Sequence, residues 1–456
     1  MLDALNISNI RSVFFIGIGG IGMSALARYF HSKGMKVGGY DRASTELTEA
    51  LRTEGISIVY EDDPLLVMDE ADLIVYTPAI PATSRMRQHY LTQGKRLYKR
   101  SEVLGMISAS TFNICIAGTH GKTTTSCMVA HILRDSGHGC NAFLGGIASN
   151  YGTNFWSHER SVAVIEADEY DRSFLTLHPD IISISSMDPD HLDIYGTAEE
   201  MEQAFIQFSE RLKTDGWLIT RKGLKREGDF NAEHHLTYHA EDASATVHAR
   251  HLRVEEGVFI YDAVGPDWEI SNLRLSMGGI HNVENSLVAI TVARLMGIPD
   301  NLIKQAIASF KGVKRRFEYI VQNQQGTYID DYAHHPEELR VLIQGARTMF
   351  GGEAITLVFQ PHLYSRTRDL ADDFAEVLDG ADRVILLPIY PARELPIEGV
   401  SSSTIADRMK HKPELMDQET LLKQLQHQLP HVLITAGAGD IDKLIEPIKE
   451  TYHHRA

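Results

Sequence analysis

The sequence predicts an α/β protein of about three domains built on parallel sheets. Three observations lead there. Apolar, strand-like runs alternate with helix-like stretches through most of the chain, the pattern of parallel sheets covered by helices on both faces. Two strand-to-helix junctions are rich in glycine, at residues 17–22 and 118–122. Such turns bring backbone N–H groups and the positive end of a helix up to phosphate oxygens. The third observation is size: 456 residues, 43% of them hydrophobic, can form several cores of ordinary domain dimensions. The best boundaries fall near 107 and 312, giving domains of 1–107, 108–312 and 313–456.

In the first domain, Val13-Phe14-Phe15-Ile16 reads as a buried strand. Gly17-Ile18-Gly19-Gly20-Ile21-Gly22 follows and matches G-x-G-x-x-G. A helix pattern runs to His31 and stops at Gly34, a good terminator. A second strand over 36–40 ends at Asp41, an acid placed to meet a ribose in a dinucleotide fold. Gly17, Gly19, Gly20 and Gly22 are therefore candidate binding residues for a pyrophosphate, and Asp41 for a ribose. The glycines fit a dinucleotide and a nucleotide-sugar equally well. Arg11 and the apolar run to Ala27 faintly resemble a secretory signal, but Asp3 spoils the charged end and four glycines interrupt the run, so strand, turn and helix fit better.

The central domain opens on the apolar run Asn113-Ile114-Cys115-Ile116, then Ala117-Gly118-Thr119-His120-Gly121-Lys122-Thr123-Thr124-Thr125, then a helix pattern from 122 to about 134. This is a phosphate loop in the short form G-x-x-G-K-[ST], because Ile116 stands where the longer pattern has glycine. The backbone of Gly118, Thr119, Gly121, Lys122, Thr123 and Thr124 would cradle ATP phosphates. Lys122 would reach the β- and γ-phosphates, and the Thr123 hydroxyl would sit on Mg²⁺. Another buried strand, 162–165, delivers Glu166-Ala167-Asp168-Glu169, and an acid so placed helps hold Mg²⁺. Glu166 is the natural candidate. The strand 181–185 leads to Asp188, Asp190, His191 and Asp193, where His191 could take a metal through a neutral imidazole nitrogen or serve as a surface salt-bridge residue. Residues 223–275 carry short alternating runs such as Val258-Phe259-Ile260-Tyr261, the pattern of a small antiparallel section. After Gly278-Gly279, a helix begins at His281 and places Asn282 and Asn285 on one face.

The last third alternates strands (327–329, 354–359, 383–387, 432–435) with helices (337–349, 370–378, 403–410, 441–449). Lys314-Arg315-Arg316-Phe317 is a basic cluster in an acidic chain, either a solvated linker or a phosphate clamp. Two polar, histidine-rich turns follow strands, one with Asp331, Tyr332, His334 and His335, the other with His362, Arg366 and Arg368. They suggest a common rim. A net charge of −17 argues against general nucleic-acid or membrane-surface binding. No uninterrupted apolar stretch is long enough for a bilayer. The three cysteines, Cys115, Cys127 and Cys140, lack metal-ligand spacing and read as reduced, structural thiols of a cytoplasmic protein.

Taken together, these residues resemble the Mur ligases of peptidoglycan synthesis, over nearly the whole chain. The marks are the 17–23 and 117–124 loops, Glu166-Ala167-Asp168-Glu169, Asp190-His191-Leu192-Asp193, and His281-Asn282 with Asn285. Further on come Arg315-Arg316-Phe317, Asp331-Tyr332 with His334-His335-Pro336, and Phe359-Gln360-Pro361-His362. The resemblance implies an N-terminal Rossmann-like domain for a UDP-sugar, a central ATPase domain, and a C-terminal Rossmann-like domain for an amino acid. It makes the first glycine loop a holder of UDP pyrophosphate. Thr123, Glu166 and His191 become the expected Mg²⁺ ligands, Asn282 and Asn285 the neighbours of adenine, and Arg316 a phosphate contact from the third domain. His335, His362 and Arg366 would line the site where acyl group and amine meet, with His335 or His362 accepting the ammonium proton.

The resemblance further implies that ATP activates the lactyl carboxylate of UDP-N-acetylmuramate as an acyl phosphate, which L-alanine then attacks. The expected protein is a cytoplasmic monomer or weak homodimer. Two departures stand out. Leu363 stands where the family commonly has arginine, and Ser185-Ser186-Met187-Asp188 stands where an Asn and a Glu are usual. Other readings remain: a murein tripeptide ligase of cell-wall recycling, an NAD-dependent dehydrogenase resting on the first loop and Asp41, and a catalytically silent UDP-sugar or ATP sensor.

Overall fold

The computed structural model describes residues 7–189, 192–255, 257–392 and 394–454. The chain divides into two compact units. One takes in residues up to 250 with 262–273 and 284–310, and the other 251–261, 274–283 and 311–456. Three sheets carry the architecture, as the α/β reading expects.

The first sheet holds β1 (Ser12–Ile16), β2 (Lys36–Tyr40), β3 (Ser57–Val59), β4 (Leu73–Tyr76) and β5 (Leu97–Lys99), all parallel, in the order β3-β2-β1-β4-β5. That is the doubly wound order, which opens a ligand crevice beyond β1 where the winding reverses. The glycine loop lies there and runs into the helix Ile21–Ser32. This helix buries Met23, Leu26, Ala27 and Phe30 at helical spacing and ends at Gly34, in the left-handed region at φ 78°.

The second sheet has ten strands: β6 (Phe112–Ala117), β7 (Asn141–Ala148), β8 (Thr153–Trp156), β9 (Val162–Glu166), β10 (Ile181–Ile184), β11 (Trp217–Arg221), β12 (His234–His239), β13 (Val247–Glu255), β14 (Val258–Val264) and β15 (Glu269–Leu275). Their order is β15-β14-β13-β12-β11-β10-β6-β9-β7-β8. β6 therefore lies between β10 and β9, parallel to both, and all three point their carboxyl ends at one edge.

The expectation of an antiparallel section over 223–275 holds only in part. β12 is parallel to β11, and β13 starts parallel to β12. Neighbours β13 and β14 are two residues apart in sequence, a connection only an antiparallel hairpin allows.

The third sheet holds β16 (Glu318–Asn323), β17 (Gly326–Asp331), β18 (Ile355–Phe359), β19 (Arg383–Leu386), β20 (Glu414–Leu415) and β21 (Val432–Ala436), in the order β16-β17-β21-β18-β19-β20. Only β16 pairs antiparallel, with β17. Two expected helices differ. The one at 403–410 is a single turn, Ser403–Ala406, and the one at 441–449 begins as a 3-10 turn, Asp440–Leu444, before the α-helix Ile445–His454. The helix Gln418–His427 was not foreseen. Asp417 caps it by accepting from the Thr420 N–H, and it buries only Leu421 and Leu425, too few apolar positions to stand out.

Within the first unit, one core joins the first sheet's helix to the second sheet. Tyr29 on helix Ile21–Ser32 packs on Phe143 of β7 and Phe155 of β8, with ring centres 5.4 and 6.1 Å away. Beside them Asn154, fully buried, donates to Ile21 O at 2.6 Å and Ser24 Oγ at 3.1 Å, and accepts from the Arg28 guanidinium. Arg28 is also held by Glu54. Asn154→Ala would remove the buried acceptor of the Arg28 Nη1, while Ile21 O keeps its bond from Ser24 Oγ. The substitution is expected to cost about 2–3 kcal/mol of unfolding free energy. Trp156, Trp217 and Trp268, the only tryptophans, all belong to this unit, so their fluorescence during urea unfolding measures the loss.

Candidate active site

At the end of β6 the chain turns sharply. Gly118 has φ 125°, and a Cβ on it would lie 2.1 Å from Ser185 Oγ and 2.9 Å from the Ser185 and Ser186 nitrogens. No side chain fits there. The loop continues through Gly121 at φ 80° and enters the helix Lys122–Asp135. The Ser185 and Ser186 pair after β10, a departure in the sequence, braces this loop. Ser186 Oγ accepts from the His120 N–H at 2.9 Å and shares a hydrogen bond with Thr119 Oγ1 at 2.8 Å. Ser185 Oγ donates to the His120 carbonyl.

Lys122 bends back over its own loop. Its ammonium donates to Gly118 O at 2.7 Å and to Glu169 Oε1 at 2.8 Å. The Glu169 side chain is 1% exposed and that of Lys122 14%. Burial pushes the Glu169 carboxyl up, and the Lys122 charge opposes this. Tyr195 fixes the turn by donating to Glu169 O at 2.6 Å. Thr123 Oγ1 donates to Glu166 Oε1 at 2.9 Å, and the other Glu166 oxygen accepts from the Gly145 N–H at 2.8 Å. Thr124 is buried in the same helix turn. Asn285 is also at this site, with Oδ1 accepting from Thr125 Oγ1 at 3.0 Å.

The structure thus brings together Gly118, Thr119, Gly121, Lys122, Thr123, Thr124, Glu166 and Asn285. Glu169 joins them, a residue the sequence offered only as part of an acidic run. An acid three residues after Glu166 was the available signal. His191 lies outside the described residues. Among the described residues, no three His, Cys, Asp or Glu gather around a common metal position. The donors present, a hydroxyl and a carboxylate side by side, suit Mg²⁺, which takes few protein oxygens and completes its shell with phosphates and water.

In the first sheet, Asp41 at the end of β2 accepts from the Gly19 N–H at 2.8 Å, while the Gly17 and Ile18 N–H groups bond Tyr40 O. Gly20 precedes the helix without a side-chain cap, and Gly22 lies in its first turn. Asp41 therefore supports the loop directly.

The second unit carries its own cluster, at the carboxyl ends of β17 and β18. His334 and His362 rings are 5.7 Å apart, and His362 stacks on Tyr390 at 5.8 Å. The two histidine-rich turns do form one rim, although β21 lies between their strands. His362 Nδ1 and Arg366 Nη1 are buried with no hydrogen-bond partner among the described residues. Burial, aided by His334 and Arg366, lowers the His362 pKa to about 4, so its imidazole is neutral at neutral pH. His335 precedes the helix Pro336–Phe350 and is exposed. Leu363 sits at φ 71° between His362 and the helix Tyr364–Asp369.

Of the basic cluster, Arg315 is structural, bonded to buried Asp330 at 2.9 Å and to Gly437 O at 2.6 Å. Arg316 is exposed, 5.9 Å from the Tyr332 ring. Asn282 lies in this unit by its contacts and donates to Gly278 O at 2.6 Å.

A glycine turn ending in Lys-Thr, a strand-end carboxylate on the hydroxyl, and a flanking doubly wound sheet define a nucleotide-binding enzyme of the phosphate-loop kind. Residues 12–111 match the Mur ligase family catalytic domain, 116–293 the Mur ligase middle domain, and 315–440 the Mur ligase glutamate ligase domain. The chain belongs to the Mur ligase family, whose members are ATP-dependent ligases.

Among similar proteins, the UDP-N-acetylmuramate–L-alanine ligase of Flavobacterium johnsoniae is 44% identical over 98% of this chain and 99% of its own length. That of Phocaeicola vulgatus is 46% identical over 97% and 98%. The crystal structure of UDP-N-acetylmuramate-alanine ligase from Thermotoga maritima aligns with TM-score 0.81 and 27% identity over 98% of this chain and 100% of that one.

Two expectations follow from the loop geometry. Gly118→Ala forces a Cβ into Ser185 and abolishes nucleotide binding, read by calorimetry with a non-hydrolysable ATP analogue. Glu169→Gln removes the carboxylate that neutralises buried Lys122 and lowers thermal stability, and a saturating ATP analogue should recover part of that loss.

Proposed function

We propose that this chain joins L-alanine to the lactyl carboxylate of UDP-N-acetylmuramate with cleavage of ATP to ADP and phosphate. The observation that carries this is the phosphate loop with Lys122 set against Glu169 and Thr123 against Glu166, on a chain 44% and 46% identical to ligases so named. The UDP pyrophosphate lies on the glycine loop of Gly17, Gly19, Gly20 and Gly22. Gly118 to Thr124 hold the ATP phosphates, with Asn282 and Asn285 toward adenine and Arg316 toward phosphate.

The lactyl carboxylate attacks the γ-phosphorus, ADP leaves, and an acyl phosphate forms. Lys122 stabilises the charge gathered on the transferring group, a contribution preorganised by its position in the helix's first turn. Mg²⁺ bound by Thr123, Glu166 and His191 would offset the repulsion between the two approaching anions. L-Alanine then attacks the acyl carbon and phosphate leaves. Arg366, with an uncommitted buried N–H, suits the amino-acid carboxylate. His335 or His362 would accept the proton from the ammonium. No described helix is long and apolar enough to cross a membrane; the proposed enzyme is a cytoplasmic monomer or weak homodimer.

The test is phosphate release by the purified protein with ATP, Mg²⁺ and UDP-N-acetylmuramate, to which L-alanine or a murein tripeptide is added. Release with L-alanine is expected, and release only with the tripeptide would replace this reading by the recycling ligase. Lys122→Ala should lower kcat about 100-fold or more.

The pH dependence of stability has a definite sign. The folded pKa of His362, about 4, lies below its unfolded value of about 6.5. Between those values the unfolded chain binds the extra proton, so this group's contribution, full above about 6.5, is lost as pH falls toward about 4. His362→Gln should flatten the stability profile across that window.

A further inference from the structure

Arg100 stands between the two loops of the first unit. It opens the helix Arg100–Ser108, directly after Lys99 at the end of β5. Its side chain lies flat on Gly22. A Cβ at that glycine would be 2.8 Å from Nη1, 3.0 Å from Cδ and 3.2 Å from Cζ. Its Nη2 is 3.4 Å from Asp168 Oδ2, a long contact for an ion pair. This is its one hydrogen-bonded partner among the described residues, and the side chain is 25% exposed. A guanidinium has five N–H donors, so most of this one's remain for a ligand.

Asp168 lies between Glu166, which holds Thr123, and Glu169, which holds Lys122. Gly22, Arg100, Asp168, Glu169 and Lys122 therefore form a continuous line from the first glycine loop to the phosphate loop. The neighbouring Lys99 adds a second clasp, its ammonium 2.8 Å from Asp171 Oδ2. The clasped segment is strained. Asp171 and Arg172 both sit in the left-handed region, at φ 54° and 55°, a costly conformation for non-glycine residues that persists only while the surroundings impose it.

We infer that Arg100 is a positioning residue that couples occupancy of the first glycine loop to the ATP site. A pyrophosphate on that loop competes with Asp168 for the guanidinium and offers the paired, charge-assisted geometry that the 3.4 Å contact lacks. Withdrawal of Arg100 relaxes the 168–172 turn, loosens Glu169 from Lys122, and leaves the ammonium to the ATP phosphates. Each ligand then raises the affinity for the other by the same factor. The inference rests on the proposed function for the identity of the two ligands and adds to it the residue that links them.

The test measures the Kd of a non-hydrolysable ATP analogue with Mg²⁺ by calorimetry, with and without saturating UDP-N-acetylmuramate. In the unaltered protein the sugar nucleotide should tighten analogue binding about 5-fold or more. Arg100→Ala and Asp168→Asn, which break the line from opposite ends, should each bring the ratio to about one, and Arg100→Lys should keep part of it. Thermal unfolding checks that each variant is folded, and the ratio itself does not follow stability. A ratio of one in the unaltered protein, or a full ratio in both Arg100→Ala and Asp168→Asn, overturns the inference while leaving the ligase reading intact. Failure of UDP-N-acetylmuramate to bind the unaltered protein overturns both.

Discussion

The ion pair between Lys122 and Glu169 sets the terms for the rest of the first unit. Both groups are largely withdrawn from water, and a charge in that position is tolerated only with a partner. The pair closes because β9 and β10 flank β6 and end at the same edge, so the acidic turn after β9 meets the loop after β6. Gly118 is needed because Ser185 and Ser186 already fill the space behind the turn, and Tyr195 is needed to fix the Glu169 carbonyl. Lys122 is therefore not idle: its charge is already balanced by a carboxylate and its position is fixed by that pair.

The second unit is organised around a different cluster, at the carboxyl ends of β17 and β18. His334, His362 and Arg366 lie close together, and burial among like charges keeps His362 neutral, whereas an exposed histidine such as His335 lacks that environment. Leu363, in a left-handed conformation, carries the chain from the rim into the short helix bearing Arg366. The backbone at that position is thus set by the need to turn, whatever the side chain.

Much of this was legible in the sequence because it depends on local order. A strand, a glycine turn and a helix in immediate succession fix where a phosphate loop is, and apolar runs such as 432–435 can only be interior strands. What sequence could not show depends on contacts across the fold. Glu169 is one acid among several until β9 is placed beside β6. Ser185 and Ser186 looked like a departure from a pattern until Gly118 was seen pressed against them. Arg315 and Arg316 are adjacent and chemically alike, yet one is held by buried Asp330 and the other is exposed. The 223–275 region misled because strands with alternating polarity occur at the margin of a parallel sheet as readily as in a separate antiparallel one.

The burial of Cys115, Cys127 and Cys140 has a practical consequence. All three are free thiols with no exposed surface, and burial raises their pKa values, that of Cys140 to about 12. A thiol so placed forms almost no thiolate at neutral pH and is out of reach of alkylating reagents. The native chain is therefore silent toward maleimide dyes and spin labels. One cysteine introduced on the surface of either unit would be the sole reactive position, and a pair would allow distances between the units to be followed through turnover without first stripping out the natural thiols.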